Sequence, residues 1–226
     1  VSSNEKQTLF ACNYISKTAS PDPRINVQLS YPAFQRHEPA WLSLNAKIES
    51  LANAGHDEFL KKSLAELKRA QESFKGNPEG MGASFKWERR ADYSVIFASD
   101  EYVSVLETVW FYTGGAHGNT SYKGILWHRD DEMFKPVPAE ALFVENSGYL
   151  ERISSMCIES LKKQGAQNVL NGSLLELIAI PPYVLSDTGL RFYFPPYTVG
   201  PYSQGSFIVD IPAEKVTDIL QLPLPE

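Results

Sequence analysis

The sequence predicts an α+β fold in which antiparallel sheets pack against helices, and three observations predict it. Two stretches repeat apolar residues at spacings of three and four, several runs alternate at period two, and the two kinds follow each other in mixed order. At 226 residues and 43% apolar composition, the chain is long enough for a sizeable core, and no repeat, low-complexity tract or flexible linker divides it.

The first elements are strands. Leu9, Phe10, Ala11, Cys12, Asn13 and Tyr14 form an opening run, and Ile25, Val27 and Leu29 alternate up to Tyr31, with a turn at Ser20, Pro21, Asp22 and Pro23. Pro39 then opens a helix whose Trp41, Leu44, Ile48 and Leu51 share a face. Past Gly55 the stripe resumes with Leu60, Leu64, Leu67 and Phe74, as one kinked helix or two, until Gly76, Asn77, Pro78 and Gly80 end it. Residues 84–91, 93–99 and 102–112 read as an antiparallel meander with a tight turn at Asp100 and Glu101. Residues 113–119 hold three glycines and bend the chain into a further strand at 122–128. Leu150, Ile153, Cys157 and Leu161 trace one helical face, which puts Cys157 on the buried side. Strands at 183–185 and 190–194 follow, then an alternating strand with Phe207, Val209 and Ile211 on one face, which Pro212 stops, and a short helix over 213–220.

Composition narrows the function. No apolar run approaches the roughly 20 residues that a membrane-spanning helix needs. The formal net charge of −6, with Lys and Arg scattered, opposes binding to phosphate backbones, so nucleic acid is not expected and a basic protein or a neutral sugar is. The chain opens at Val1, and its polar lead-in of Ser2, Ser3, Asn4, Glu5 and Lys6 fits removal of an export signal or trimming. Cys12 and Cys157 form no CxxC or zinc-type spacing; they are expected to pair as a disulfide or to remain two buried thiols, the pair being favoured.

Two segments carry a family likeness: residues 112–119, which read Tyr-Thr-Gly-Gly-Ala-His-Gly-Asn, and the stretch from Gly189 through Pro196 and Tyr197 to Gly200, Pro201 and Tyr202. In this order they resemble an exported bacterial family of unknown function. That family includes the extracellular region of lysozyme-sensing anti-sigma factors and the non-catalytic region attached to a peptidoglycan deacetylase. The resemblance implies two intimately associated halves, residues 8–119 on the deacetylase-associated side and 122–222 on the lysozyme-sensor side. It further implies an extracytoplasmic location and no catalysis, since the deacetylase chemistry belongs to a separate domain. The membrane helix and sigma-factor-binding segment of an anti-sigma factor are not found in this sequence.

The glycine-rich bend invites a catalytic reading, because its amides can face an anion beside His117. The plainer reading is that the glycines supply positive φ while His117 and Asn119 hydrogen-bond the bend from within. No GxSxG, HExxH, P-loop or GxGxxG motif occurs. His128, Arg129, Asp130, Asp131 and Glu132 lack the EF-hand spacing and read as a solvated turn. The pairs Asp100 with Glu101 and Glu132 with Glu140 are too unspecific to argue glycosidase chemistry. The loop from Pro195 to Tyr202 offers rigid tyrosine faces held by prolines, which suits recognition as well as it suits closing the core. The reading reached is a non-catalytic envelope module with no cofactor and no metal. His117, Asn119, Tyr197, Pro201 and Tyr202 are its candidate binding residues, and a cationic lysozyme-like protein or a cell-wall glycan is its partner. The alternative is a peptidoglycan-associated hydrolase using His117 and nearby carboxylates.

Overall fold

The computed structural model describes residues 11–73, 86–130 and 132–222. Leu9, Phe10, Phe74, the break at Gly76 to Gly80, the expected strand start at Ser84, and Asp131 lie outside these residues, as does the Glu140 side chain. The fold is α+β: a six-stranded sheet in the order β1-β2-β3-β4-β5-β6, a three-stranded sheet in the order β7-β8-β9, and helices.

Strands β1 (Cys12–Asp22) and β2 (Ile25–Phe34) make an antiparallel hairpin. Ser20 and Pro21 lie within β1 rather than in the turn, where the register shifts between Ala19 and Asp22; an irregular edge strand accommodates a proline. Alternation on β2 buries Ile25, Val27, Leu29 and Tyr31, as the period predicts. Helix α1 (Pro39–Ser73) is one continuous element through Gly55. A Cβ at Gly55 would stand 3.0 Å from Arg89 Nη2, so the missing side chain admits the buried guanidinium, which accounts for a residue that costs a helix about 1 kcal/mol. The buried stripe runs Trp41, Leu44, Ile48, Ala52, His56, Ser63 and Leu67, whereas Leu51 and Leu64 are exposed. Large apolar residues misled the spacing here, because Ala52 and Ser63 carry the face where little room remains.

Strand β3 (Trp87–Ala98) pairs with β2 in parallel, from Ile25 opposite Trp87 to Ser30 opposite Asp92. The sheet is therefore mixed: α1 is the crossover that returns the chain to run beside β2 in the same direction. At Ser99 the hydroxyl accepts from the Tyr102 and Glu101 amides, which turns the chain into β4 (Tyr102–Tyr112) at Asp100 and Glu101 as expected. β5 (Asn119–Asp130) and β6 (Met133–Pro136) complete the sheet as a hairpin closed by the Asp130–Lys135 ion pair at 2.5 Å. Helices α2 (Ala139–Leu142), α3 (Tyr149–Lys163) and α4 (Gln167–Leu170) precede β7 (Tyr183–Ser186), β8 (Gly189–Phe194) and β9 (Phe207–Pro212). The expected final helix is instead two 3-10 turns, Ala213–Lys215 and Thr217–Ile219, separated by buried Val216 at φ −132°.

Contacts divide the chain into two compact units. The first is drawn from residues up to Ser94 together with Thr108–Ser121, the second from Val95–Glu107 together with Tyr122 onward. In the first, Asn45 clamps the end of β2 by accepting from Phe34 N–H (2.8 Å) and donating to Phe34 C=O (2.9 Å). Ile25, Val27 and Leu67 pack there with Phe59, Leu60 and Ala70. In the second, Ile153, Cys157 and Leu161 of α3 join Leu190, Phe192, Phe194, Val209 and Ile211 in one cluster, while Val184 and Tyr193 meet Leu106 in another. No helix among the described residues is long and apolar enough to cross a membrane.

The expected disulfide is not formed: Cys12 and Cys157 are free thiols. Cys157 sits in the apolar cluster of the second unit, where burial pushes its pKa up to about 12, and Cys12 lies on β1 in the first. Burial also raises Cys12, against a hydrogen bond with Tyr14. Titration with a thiol reagent under non-reducing conditions is expected to find Cys157 silent in the native protein and both thiols reactive in denaturant; no reactive thiol in denaturant would restore the disulfide.

His56 makes a pH-dependent contribution. It is buried, and its Nδ1 has no hydrogen-bond partner among the described residues. Burial holds its pKa below the usual value; Asp57 opposes the shift, and Arg89 and Lys17 add to it. The folded state thus disfavours the proton, so stability is full above the unfolded value of about 6.5 and declines as pH falls through and below it. Asp22, held down to about 2 first by its hydrogen bond from the Arg24 side chain, contributes stability that is lost only below about pH 4, so the two limbs separate. Urea midpoints for wild type and His56→Leu should converge or cross between about pH 7.5 and about pH 5, with the variant flatter over that interval. Parallel curves would exclude His56 as the source.

Candidate functional site

The candidate residues fall into two groups, one in each unit. His117 lies in the bend between β4 and β5 and Asn119 opens β5, both in the first; Tyr197, Pro201 and Tyr202 belong to the loop between β8 and β9 in the second.

The bend is held by its own polar groups. Gly114 and Gly115 adopt φ of 99° and 100°, which a side chain would strain. Tyr112 Oη donates to Gly115 C=O at 2.8 Å, and Asn119 Oδ1 accepts from the Thr120 amide at 2.9 Å. His117 is exposed, and its Nδ1 lies 2.9 Å from Gly118 C=O. A carbonyl only accepts, so this bond places the proton on Nδ1 and leaves Nε2 as the acceptor of the neutral ring. Gly118 has a separate reason to be glycine: a Cβ would fall 2.5 Å from the Trp110 indole, which packs against its backbone. The glycines are evident in the sequence; the only sign of Trp110 there is its place two residues before Tyr112 on the same face of β4.

The second group is more built. Tyr197 is 56% exposed yet sits at φ 72°, a left-handed conformation that costs a non-glycine residue about 1–3 kcal/mol. Its ring lies 5.6 Å from that of Tyr202, tilted by 37°. Buried Val199 anchors the loop from below, and its carbonyl accepts from Asn168 N–H at 3.0 Å. Pro201 precedes a 3-10 turn, Tyr202–Gln204, whose Gln204 accepts from Gln167 N–H (3.0 Å) and donates to Gly165 C=O (2.9 Å). Gln164 donates to Ile208 C=O at 2.9 Å. These amides tie the tyrosine loop to the segment through α4, and the sequence reading missed them. Glutamines give no periodic signal, and their partners are remote in the chain.

The other polar groups considered from the sequence resolve into structure. His128 packs its ring against Tyr102 at 4.6 Å, Asp130 pairs with Lys135, and Asp100 with Glu101 forms the β3–β4 turn.

Comparison with known proteins gives a consistent picture. Residues 140–214 match the family described as Protein of unknown function (DUF3298), and residues 19–120 match the family Deacetylase PdaC. The peptidoglycan-N-acetylmuramic acid deacetylase PdaC of Bacillus subtilis (strain 168) is 24% identical over 139 residues. That match covers 59% of this chain and only 29% of the deacetylase. Crystal structures of DUF3298 family proteins share the fold. One from Bacteroides fragilis has a TM-score of 0.66 at 16% identity, covering 94% of this chain and 93% of its own. One from Pseudomonas aeruginosa PAO1 has a TM-score of 0.63 at 16% identity, covering 94% of each.

Proposed function

We propose that this chain, whose residues 140–214 match the DUF3298 family and whose residues 19–120 match the family Deacetylase PdaC, is a non-catalytic, extracytoplasmic module that binds peptidoglycan or a lysozyme-like protein acting on it. The relationship to a peptidoglycan deacetylase supplies the setting. The observation that carries the binding role is Tyr197: an exposed aromatic ring held in a strained backbone by a loop fastened at several points. Strain kept at a surface position marks a residue whose presentation matters more than its stability. A fastened loop also loses little further freedom when it binds. The chain's net charge of −6 favours encounter with a cationic muramidase.

Co-sedimentation with insoluble peptidoglycan and pull-down with a lysozyme-type muramidase, followed by mass spectrometry of soluble products, tests the proposal. Retention by either without new products is the expected result. Release of muropeptide or sugar fragments would replace it with a hydrolase reading centred on His117, and no retention by either would end it.

A further inference from the structure

We infer that the charge-poor loop bearing Tyr197 and Tyr202 is a site for a neutral glycan built of N-acetylated hexosamines; the inference rests on the binding-module reading above and narrows its ligand. The distribution of charge carries it. The chain has 21 basic and 27 acidic residues in 226, yet residues 192–209 contain none, and residues 164–186 contain only Glu176. The two stretches meet, because the hydrogen bonds Asn168 N–H to Val199 C=O, Gln167 N–H to Gln204 Oε1, Gln204 Nε2 to Gly165 C=O and Gln164 Nε2 to Ile208 C=O join them, with Lys163 and Asp210 just beyond their ends. Both belong to the second unit.

What this surface offers is aromatic, amide and hydroxyl. Tyr197, Thr198, Ser203 and Gln167 are exposed on it, and the paired tyrosine rings stand on the fastened loop. Glu176 is the one charged residue within the two stretches, so they offer a charged partner little, whereas a pyranose meets its requirements there: an aromatic face for its C–H bonds, and donors and acceptors for its hydroxyl and acetamido groups. Of the 27 acidic residues only Glu176 lies in these stretches, so the attraction that aids encounter with a cationic protein centres on other residues. Leu170, Leu175 and Ile178, exposed on the same uncharged stretch, make a protein occupant the competing outcome.

The test is a two-dimensional amide NMR titration with chitotetraose and, separately, with its fully deacetylated cationic counterpart, on wild type and Tyr197→Gly. Glycine accommodates the left-handed backbone without strain and removes the whole side chain. Chitotetraose is expected to shift the amides of residues 197–206 and of Gln167 and Asn168, with an affinity insensitive to salt. Tyr197→Gly should weaken it at least about tenfold, with the melting temperature held or raised. Binding of the cationic oligomer alone, abolished by salt, would overturn the inference, as would wild-type shifts confined to other residues. If peptidoglycan or the muramidase is retained equally by wild type and Tyr197→Gly, the binding-module reading stands and this assignment falls; if nothing is retained, both fall.

Discussion

Gly124→Ala is expected to unfold the second unit, at a cost exceeding about 3 kcal/mol. Gly124 lies in β5, and a Cβ built on it would stand 1.5 Å from the backbone oxygen of Tyr183 and 2.6 Å from its carbonyl carbon. The overlap is with main chain, so no rotamer change relieves it, and β7 would have to retreat from β5. That retreat would disturb the Leu185 amide bonded to buried Ser104 Oγ at 2.9 Å and the cluster of Leu106, Val184 and Tyr193. An unpaired buried amide adds a penalty of about 1–3 kcal/mol. Gly165→Ala is the control: nothing lies within 4 Å of its Cβ position and only its φ of 82° is strained, so about 1 kcal/mol is expected. Urea midpoints followed by circular dichroism measure both. Equal losses in the two variants would show that the close approach of β5 and β7 does not bear on stability.

Gly124 also shows what the sequence could and could not reveal. A glycine inside a strand is compatible with a close backbone approach, but the backbone that approaches Gly124, some 60 residues later, is not visible in the sequence. Period two on β2 and β9 and the stripe on α3 were readable because one face of each is buried. β4 was legible as a strand from its aromatic and β-branched residues, but not which face it buries, since Tyr102 through Leu106 are all buried. The parallel pairing of β2 with β3 was hidden for another reason, since strand direction follows from where a crossover returns the chain and not from local composition. The candidate site divides similarly. Glycine spacing and the Pro-Tyr loop were visible, whereas the positive φ of Tyr197 and the glutamine bonds beneath it are tertiary facts. Lack of charge along 192–209 was in plain view but gained meaning only when the fold joined it to 164–186.

Trp41→Ala should cost about 3–5 kcal/mol, a large share of the roughly 5–15 kcal/mol that holds a domain together. Trp41 is fully buried in the first turn of α1, its ring 4.9 Å from that of Phe34 and 4.9 Å from the Arg36 guanidinium. Phe34 ends β2 and Asn45 clamps its backbone, so the tryptophan fills the corner where strand turns into helix and where the β2–α1–β3 crossover takes its direction. Truncation leaves a cavity beside Phe34, whose backbone is held by the Asn45 bonds, which limits collapse and puts the cost toward the upper end of the range. Leu42→Ala, one residue along and 52% exposed, removes apolar surface that faces water and should change stability by no more than about 0.5 kcal/mol. The comparison is read from urea unfolding by far-ultraviolet circular dichroism, with the slope of the transition unchanged between variants. A loss at Trp41 no larger than at Leu42 would mean that this corner is not where the crossover is secured, and the Phe34–Asn45 clamp alone would have to hold β2 to α1.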